Sequence, residues 1–121
     1  MQTIGGAHHY KWEDVGKDSP MDLLERKKIV GRLTMIAQVQ LQKGCKVPTH
    51  AHENEQFACV LSGRIRFGLG PDGAPNRAEL VLGAGEVLQL PPNVLHSAEA
   101  LEDTLVLDIF TPTSEKTGID R

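Results

Sequence analysis

The chain has 121 residues, enough for one compact domain and too few for a second. Its formal net charge is -3, with acidic and basic residues interspersed, which excludes the basic patch of a nucleic-acid-binding protein. No apolar run approaches the ~18 residues of a membrane span, and residues 1–10 lack the apolar centre of a signal peptide. We therefore expect a cytoplasmic protein with neither a nucleic-acid nor a membrane partner.

The first third of the chain changes from an irregular to a regular pattern. Residues 1–20 contain glycines, adjacent histidines and a polar run, which favours an irregular N-terminal arm. Residues 21–28 fit a helical turn or a first strand equally well. The next segment predicts a strand with one apolar face, because its apolar residues alternate with polar ones. These apolar residues are Leu33, Met35, Ala37, Val39 and Leu41.

Residues 56–61 form a strand that is apolar on both faces. Such a strand must be covered on both sides, so one face can line a barrel and the other needs a second sheet or a partner subunit. We expect a homodimer formed through the outer face. The predicted inner face carries Gln56, Ala58 and Val60, and the predicted outer face carries Phe57, Cys59 and Leu61.

The remainder of the chain alternates short apolar strands with turns rich in Gly and Pro. Strands are predicted over residues 64–69, 80–82, 87–90 and 104–111, and residues 113–121 have the pattern of a frayed tail. Short, evenly spaced strands are typical of an all-β barrel or sandwich in a single domain.

Three histidines are candidates for a metal site. His50 and His52 are two residues apart, so both imidazoles leave the same side of an extended strand, and His96 lies well downstream. Gln56 keeps the parity of His52, whereas a bulge would be needed to bring in Glu55 instead. Neutral imidazole and amide donors suit a divalent transition metal. The alternative is a hydrogen-bonded histidine pocket without metal.

Asp108 is the candidate catalytic residue. It stands in mid-strand between Leu107 and Ile109, where a charge is unexpected unless its face lines a pocket. A carboxyl group beside a metal-bound substrate can act as general acid or base. The alternatives are a solvent-facing Asp and an interface salt bridge, while Arg64 and Arg66 are most simply solvated or interface residues.

Two separated motifs resemble those of the cupin family. The first, Gly-x5-His-x-His-x(3,4)-Glu-x6-Gly, lies over Gly44, His50, His52 and Gly63, with Gln56 at the Glu position. The second, Gly-x5-Pro-x-Gly-x2-His-x3-Asn, lies over Gly85, Pro91 and His96, with Asn93 at the Gly and Ala100 at the Asn. The resemblance implies a double-stranded β-helix, a jelly-roll barrel, with its core at about residues 30–112.

More narrowly, residues 32–112 are similar to the small pectin-degradation cupins. This resemblance implies a metal-dependent isomerase or lyase-like enzyme that opens the ring of 4,5-unsaturated uronates, which are small anionic substrates. It also implies that His50, His52, Gln56 and His96 hold a divalent metal, such as Zn, Ni, Mn or Fe, and that Asp108 works at the pocket.

One position departs from that group, and two other functions remain open. Ser114 stands where those proteins carry the Arg that would hold the substrate carboxylate. A cupin that senses or binds a sugar or metabolite without turnover is one alternative. A metal-dependent dioxygenase is the other, although Gln56 departs from the two-His-one-carboxylate set of non-haem iron oxygenases.

Overall fold

The computed structural model of the chain describes residues 1–114, which fold almost entirely into β-strands. Its one helical element in that range is a single 3-10 turn at Trp12–Asp14. Within this described part, no helix is long and apolar enough to cross a membrane. The strands are β1 Gln2–Ile4, β2 Ala7–His9, β3 Lys17–Met21, β4 Leu24–Val30, β5 Met35–Leu41, β6 Lys46–His50, β7 Glu55–Ser62, β8 Arg64–Leu69, β9 Ala78–Gly83, β10 Val87–Leu90, β11 His96–Ala100 and β12 Thr104–Thr111.

Two antiparallel sheets enclose the core. One has six strands in the order β10-β7-β12-β5-β4-β3, and the other has four in the order β6-β11-β8-β9. Adjacent strands in each sheet are often far apart in sequence, as in a barrel wound from two intertwined halves. The predicted all-β, single-barrel fold is confirmed, with buried residues from both sheets forming one apolar core.

Strand alternation explains which residues fill that core. Met35, Ala37, Val39 and Leu41 of β5 are buried, as the period-two pattern predicts, while Leu33 lies in the preceding turn and is exposed. In β7 the parity prediction also agrees with the structure. Its inner residues are buried, and its outer face is exposed at Phe57 and Leu61.

The structure differs from the sequence-based prediction at the N-terminus. Residues 1–20 are not wholly irregular, because β1 and β2 form a hairpin and β3 pairs with β4 as the edge of the larger sheet. The open question over residues 21–28 is settled as a strand, β4, which follows a tight turn at Leu23 with a φ of 66°. The larger sheet therefore starts at Lys17 rather than near residue 30. Most of the expected tail, residues 115–121, lies outside the described residues.

Candidate metal centre

The three histidines come from two neighbouring strands and the loop beside them. His50 ends β6 and His96 begins β11, and the two are direct partners in the antiparallel register. His52 lies in the loop after β6, where its carbonyl oxygen accepts a 2.9 Å hydrogen bond from the backbone N–H of Asn93. Asn93 has a φ of 67°, a conformation that Asn tolerates better than most residues, which explains how it replaces the motif glycine.

The backbone fixes the orientation of all three rings. Each Nδ1 lies beside a backbone carbonyl oxygen: 2.7 Å from that of Pro48 for His50, 3.0 Å from that of Asn54 for His52, and 2.8 Å from that of Val94 for His96. A carbonyl can only accept, so each Nδ1 carries the proton, and in a neutral ring Nε2 then keeps its lone pair. The three rings offer ligand nitrogens within 4.8 Å of one another, which is the arrangement of a metal site.

His96 is held in the form that binds metal. It is buried, and burial lowers its pKa to about 4, assisted by the neighbouring imidazoles of His50 and His52 and opposed by the carbonyl of Val94. A low pKa keeps the ring neutral throughout the physiological range.

Gln56 connects the histidines to Asp108. Its side chain is buried, its Nε2 donates to Asp108 Oδ1 at 2.9 Å, and its Oε1 lies 3.0 Å from His52 Nε2. With His52 Nδ1 protonated, His52 Nε2 and Gln56 Oε1 are both acceptors. They can lie this close only if a cation lies between them or the ring carries a second proton. A divalent cation held by both atoms would satisfy both lone pairs. These residues therefore fit a metal ion.

Asp108 faces the barrel interior beside this cluster. Its neighbours in the cross-strand row are Ala37 and Ala58, whose small side chains leave room around the carboxyl group. Enclosure by protein atoms raises its pKa to about 7, against the smaller effect of the Gln56 hydrogen bond. Among residues 1–114 it forms no ion pair, and its position in the cavity beside Gln56 does not fit a solvent-facing residue.

His50, His96, Gln56 and Asp108 share one cavity in the barrel, with a volume of about 50 Å³. Its walls are mostly aliphatic, and its polar groups gather at one end. Apolar walls exclude water and strengthen electrostatic interactions inside the cavity. The polar lining consists of His50, Gln56, His96 and Asp108.

Other candidates from the sequence lie elsewhere. The alternative in which a bulge exchanges Glu55 for Gln56 is wrong, because β7 is regular there and Glu55 accepts a 2.7 Å hydrogen bond from Gln89 on the outer side. Arg64 and Arg66 also lie on an outer face. Arg66 pairs with Glu99 at 3.2 Å, and Arg64 lies 3.8 Å from Glu102.

The sequence-based prediction missed Asn54. This residue is buried, its side-chain amide donates to the carbonyl of Pro112, and its own carbonyl is the partner of His52. It thereby ties the histidine loop to the end of β12. An Asn between two glutamates in a loop has no distinctive pattern in a single sequence, so no local signal indicated this role.

The comparisons with known proteins agree with this fold. The family profile described as Cupin domain matches residues 37–110. An RmlC-like cupin from Shewanella frigidimarina NCIMB 400 is 25% identical with a TM-score of 0.78, covering 90% of this chain and 95% of that one. KdgF from Halomonas sp. is 25% identical with a TM-score of 0.75, covering 85% of this chain and 93% of that one.

A third structure shows the likeness of fold alone. It is the formate complex of the oxalate decarboxylase from Lactobacillus farciminis, 14% identical with a TM-score of 0.78, covering 94% of this chain and 36% of that one. The comparison with curated proteins gives no significant match.

Proposed function

The chain belongs to the cupin family, and on that premise we propose that it is a metal-dependent isomerase or lyase-like enzyme. The specific reaction we propose is ring opening of 4,5-unsaturated uronates. Two observations support this substrate: the similarity to KdgF, a pectin-degradation cupin, and the pairing of Gln56 with Asp108 at the histidine cluster. The second carries the proposal, because it brings a proton carrier and a set of metal ligands together in one cavity.

His50, His52, His96 and Gln56 would hold the divalent ion. Four neutral ligands leave its charge uncompensated, so when bound it would attract anionic oxygens of a substrate and polarise them as a Lewis acid. The protein fixes these donors in advance through the three Nδ1–carbonyl hydrogen bonds. Zn, Ni, Mn and Fe all accept such a ligand set.

Asp108 would move the proton. A carboxyl group with a pKa of about 7 can both take and return a proton at neutral pH. In the proposed reaction it accepts the proton of the anomeric hydroxyl while the bond between C1 and the ring oxygen breaks. It then returns a proton to C4 as the resulting enol becomes a ketone, so the reaction is an isomerisation without a co-reactant. Gln56 holds the carboxylate in place by donating to Oδ1.

The experiment is a turnover assay of the metal-loaded protein with a 4,5-unsaturated uronate. Ring opening removes the double bond conjugated to the carboxylate, so the ultraviolet absorbance should fall without oxygen consumption. Tight binding without turnover would favour the sensing alternative. Oxygen uptake with this or another small acid would favour the dioxygenase.

We also propose that the protein is a cytoplasmic homodimer. The support is the outer face of the six-stranded sheet, where Phe57 is 36% and Leu61 49% exposed, with Val87 of the adjacent strand 56% exposed. A contiguous apolar surface of this kind is stabilised by a partner. A second copy presents the same surface, and two such sheets can pack face to face.

A further inference from the structure

His52 differs from the other two histidines of the cluster in how its position is fixed. His50 and His96 are direct partners in the register of β6 and β11, so the hydrogen bonds of the sheet hold them side by side. His52 lies outside any strand, in the connection between β6 and β7 at residues 51–54. A ligand in such a connection depends on contacts from other parts of the chain to hold its orientation.

Asn54 makes one such contact with its backbone and a second hydrogen bond with its side chain. Its backbone carbonyl accepts a 3.0 Å hydrogen bond from His52 Nδ1–H. Its side-chain amide donates to the carbonyl of Pro112. Asn54 is 4% exposed, so water does not compete for either bond. The side-chain bond therefore fixes the backbone that presents the acceptor to His52.

The anchor for Asn54 is the end of β12, which also contacts His52 directly. Pro112 immediately follows the last residue of this strand. Phe110 packs edge-on against the His52 ring, with the ring centroids 5.7 Å apart and the planes at 73°. Asp108 has the same inward parity as Phe110, and both line the cavity. The strand that carries the proposed proton carrier thus also holds the histidine that no strand contains.

We propose that Asn54 is a positioning residue of the metal centre, which holds His52 in its ligating orientation through the Pro112 carbonyl. This inference rests on the metal site of the proposed function and does not depend on the reaction. Without the side-chain amide, the backbone carbonyl at this position can turn away and the His52 ring can rotate. The ligands that lie on strands would keep their positions, so the site would lose the orientation of one donor.

The test measures Zn²⁺ and Co²⁺ binding by protein that has been freed of metal with a chelator. Asn54→Ala removes the amide donor and keeps the backbone carbonyl. We expect the dissociation constant for Zn²⁺, measured by competition with a chromophoric chelator, to rise by about ten- to a hundred-fold, as is usual when a metal ligand loses its outer hydrogen-bond support. The visible spectrum of the Co²⁺-loaded variant should also change, because it reports the geometry of the ligands.

Two further variants at the same position sharpen this test. Asn54→Gln keeps an amide donor on a longer side chain, so it should retain more of the Zn²⁺ affinity than Asn54→Ala. Asn54→Ser replaces the amide with a shorter hydroxyl group and provides the same comparison if Asn54→Ala does not fold.

Thr104→Val is the matched control for a general loss of stability. Thr104 is the first residue of β12, at the opposite end of the strand from Pro112. It is fully buried, and its hydroxyl lies within hydrogen-bond distance of the backbone carbonyls of Arg64 and Glu102. We expect Thr104→Val to lower the melting temperature but to keep the wild-type Zn²⁺ affinity and Co²⁺ spectrum.

The outcomes separate this inference from the proposed function. Wild-type Zn²⁺ affinity and Co²⁺ spectrum in folded Asn54→Ala, or equal changes in Asn54→Ala and Thr104→Val, would overturn the role of Asn54 and leave the enzyme. A wild type that binds neither metal would overturn both. Weaker Zn²⁺ binding by Asn54→Ala, with no turnover of the uronate by the wild type, would keep the role of Asn54 and remove only the reaction.

Discussion

The two faces of β7 differ in what their side chains do, although they alternate along the same eight residues. On the inner face, Gln56 is buried and both ends of its amide have partners in the cavity. On the outer face, Phe57 and Leu61 have no core to fill and are partly exposed. The inner face therefore carries a polar side chain that takes part in the chemistry of the cavity. The outer face carries apolar side chains that can bind a partner subunit.

This separation makes the two faces independent under mutation. A change on the inner face should alter metal content or turnover and leave assembly intact. A change on the outer face should do the reverse, because the sheet between them is rigid and its hydrogen bonds do not depend on side chains. The predictions test this independence in order of decreasing effect.

The largest effect is expected from His52→Ala, which removes one of the three clustered imidazoles. The variant should lose its near-stoichiometric divalent metal and, with it, all measurable turnover, because a bound ion needs each of these donors. Elemental analysis of untagged protein purified without chelator provides the measurement. His9→Ala, a histidine of the exposed β2 hairpin strand, serves as the control and should keep its metal. Absence of metal from the wild type as well would contradict the site.

Asp108→Asn should lower turnover by about 10² to 10⁴ while leaving the metal content unchanged. The amide keeps the shape of the side chain but cannot accept the proton. Steady-state kinetics with elemental analysis of the same sample measures both quantities. Asp22→Asn, in the exposed turn before β4, is the control. A wild-type rate in Asp108→Asn would exclude this residue from the mechanism and remove the main reason to prefer an enzyme to a sensing protein.

Strand parity and motif spacing determine which residues of the site could be predicted from the sequence. Alternation places Gln56 on the inner face of its strand, and the two motifs select His50, His52 and His96, whereas the inward position of Asp108 is only a hypothesis drawn from its unusual charge in mid-strand. The hydrogen bond between Gln56 and Asp108 was not predictable, because it joins residues 52 positions apart and depends on β7 pairing with β12. No local pattern encodes that order of strands.

The N-terminal strands escaped prediction for a different physical reason. In β4 the inward positions after Leu24 are Arg26 and Lys28, so charges occupy places where the alternation pattern expects apolar residues. Asp18 on the next strand binds the buried guanidinium and helps to stabilise it there. That partner is visible only once β3 and β4 are paired.

A smaller effect is expected from Leu61→Asp on the outer face. A buried leucine contributes about 1.5 to 3 kcal/mol, so a charge in its place should raise the dissociation constant of the dimer at least about tenfold. Light scattering at micromolar concentration should show a dimer for the wild type and a shift to monomer for the variant. Ser62→Asp, at the neighbouring exposed position, is the control. A monomeric wild type would refute the dimer, and lost metal in Leu61→Asp would refute the independence of the two faces.

The smallest effect concerns the pH dependence of stability in the metal-free protein, where two inner-face groups act in opposite directions. The pKa of His96 falls from 6.5 to about 4 on folding, so the unfolded chain takes up a proton first and stability decreases as pH falls from about 6.5 to 4. The pKa of Asp108 rises from 3.8 to about 7, so the folded protein keeps a proton that the unfolded chain releases, and stability decreases as pH rises over that interval. The two slopes oppose each other between about pH 4 and 6.5.

Asp108→Asn removes the contribution of Asp108 to the pH dependence of stability and leaves that of His96. In chelator-treated protein, the free energy of unfolding of this variant should therefore rise more steeply between pH 4.5 and 6.5 than that of the wild type, because the opposing effect of the carboxyl group is absent. Denaturant unfolding at several pH values measures the slopes, and Asp22→Asn should follow the wild type. Parallel curves for Asp108→Asn and the wild type would mean that the carboxyl group titrates near its ordinary pKa in the folded protein. Its enclosure would then not tune it for proton transfer at neutral pH, and the inner face would owe its chemistry to the histidine cluster alone.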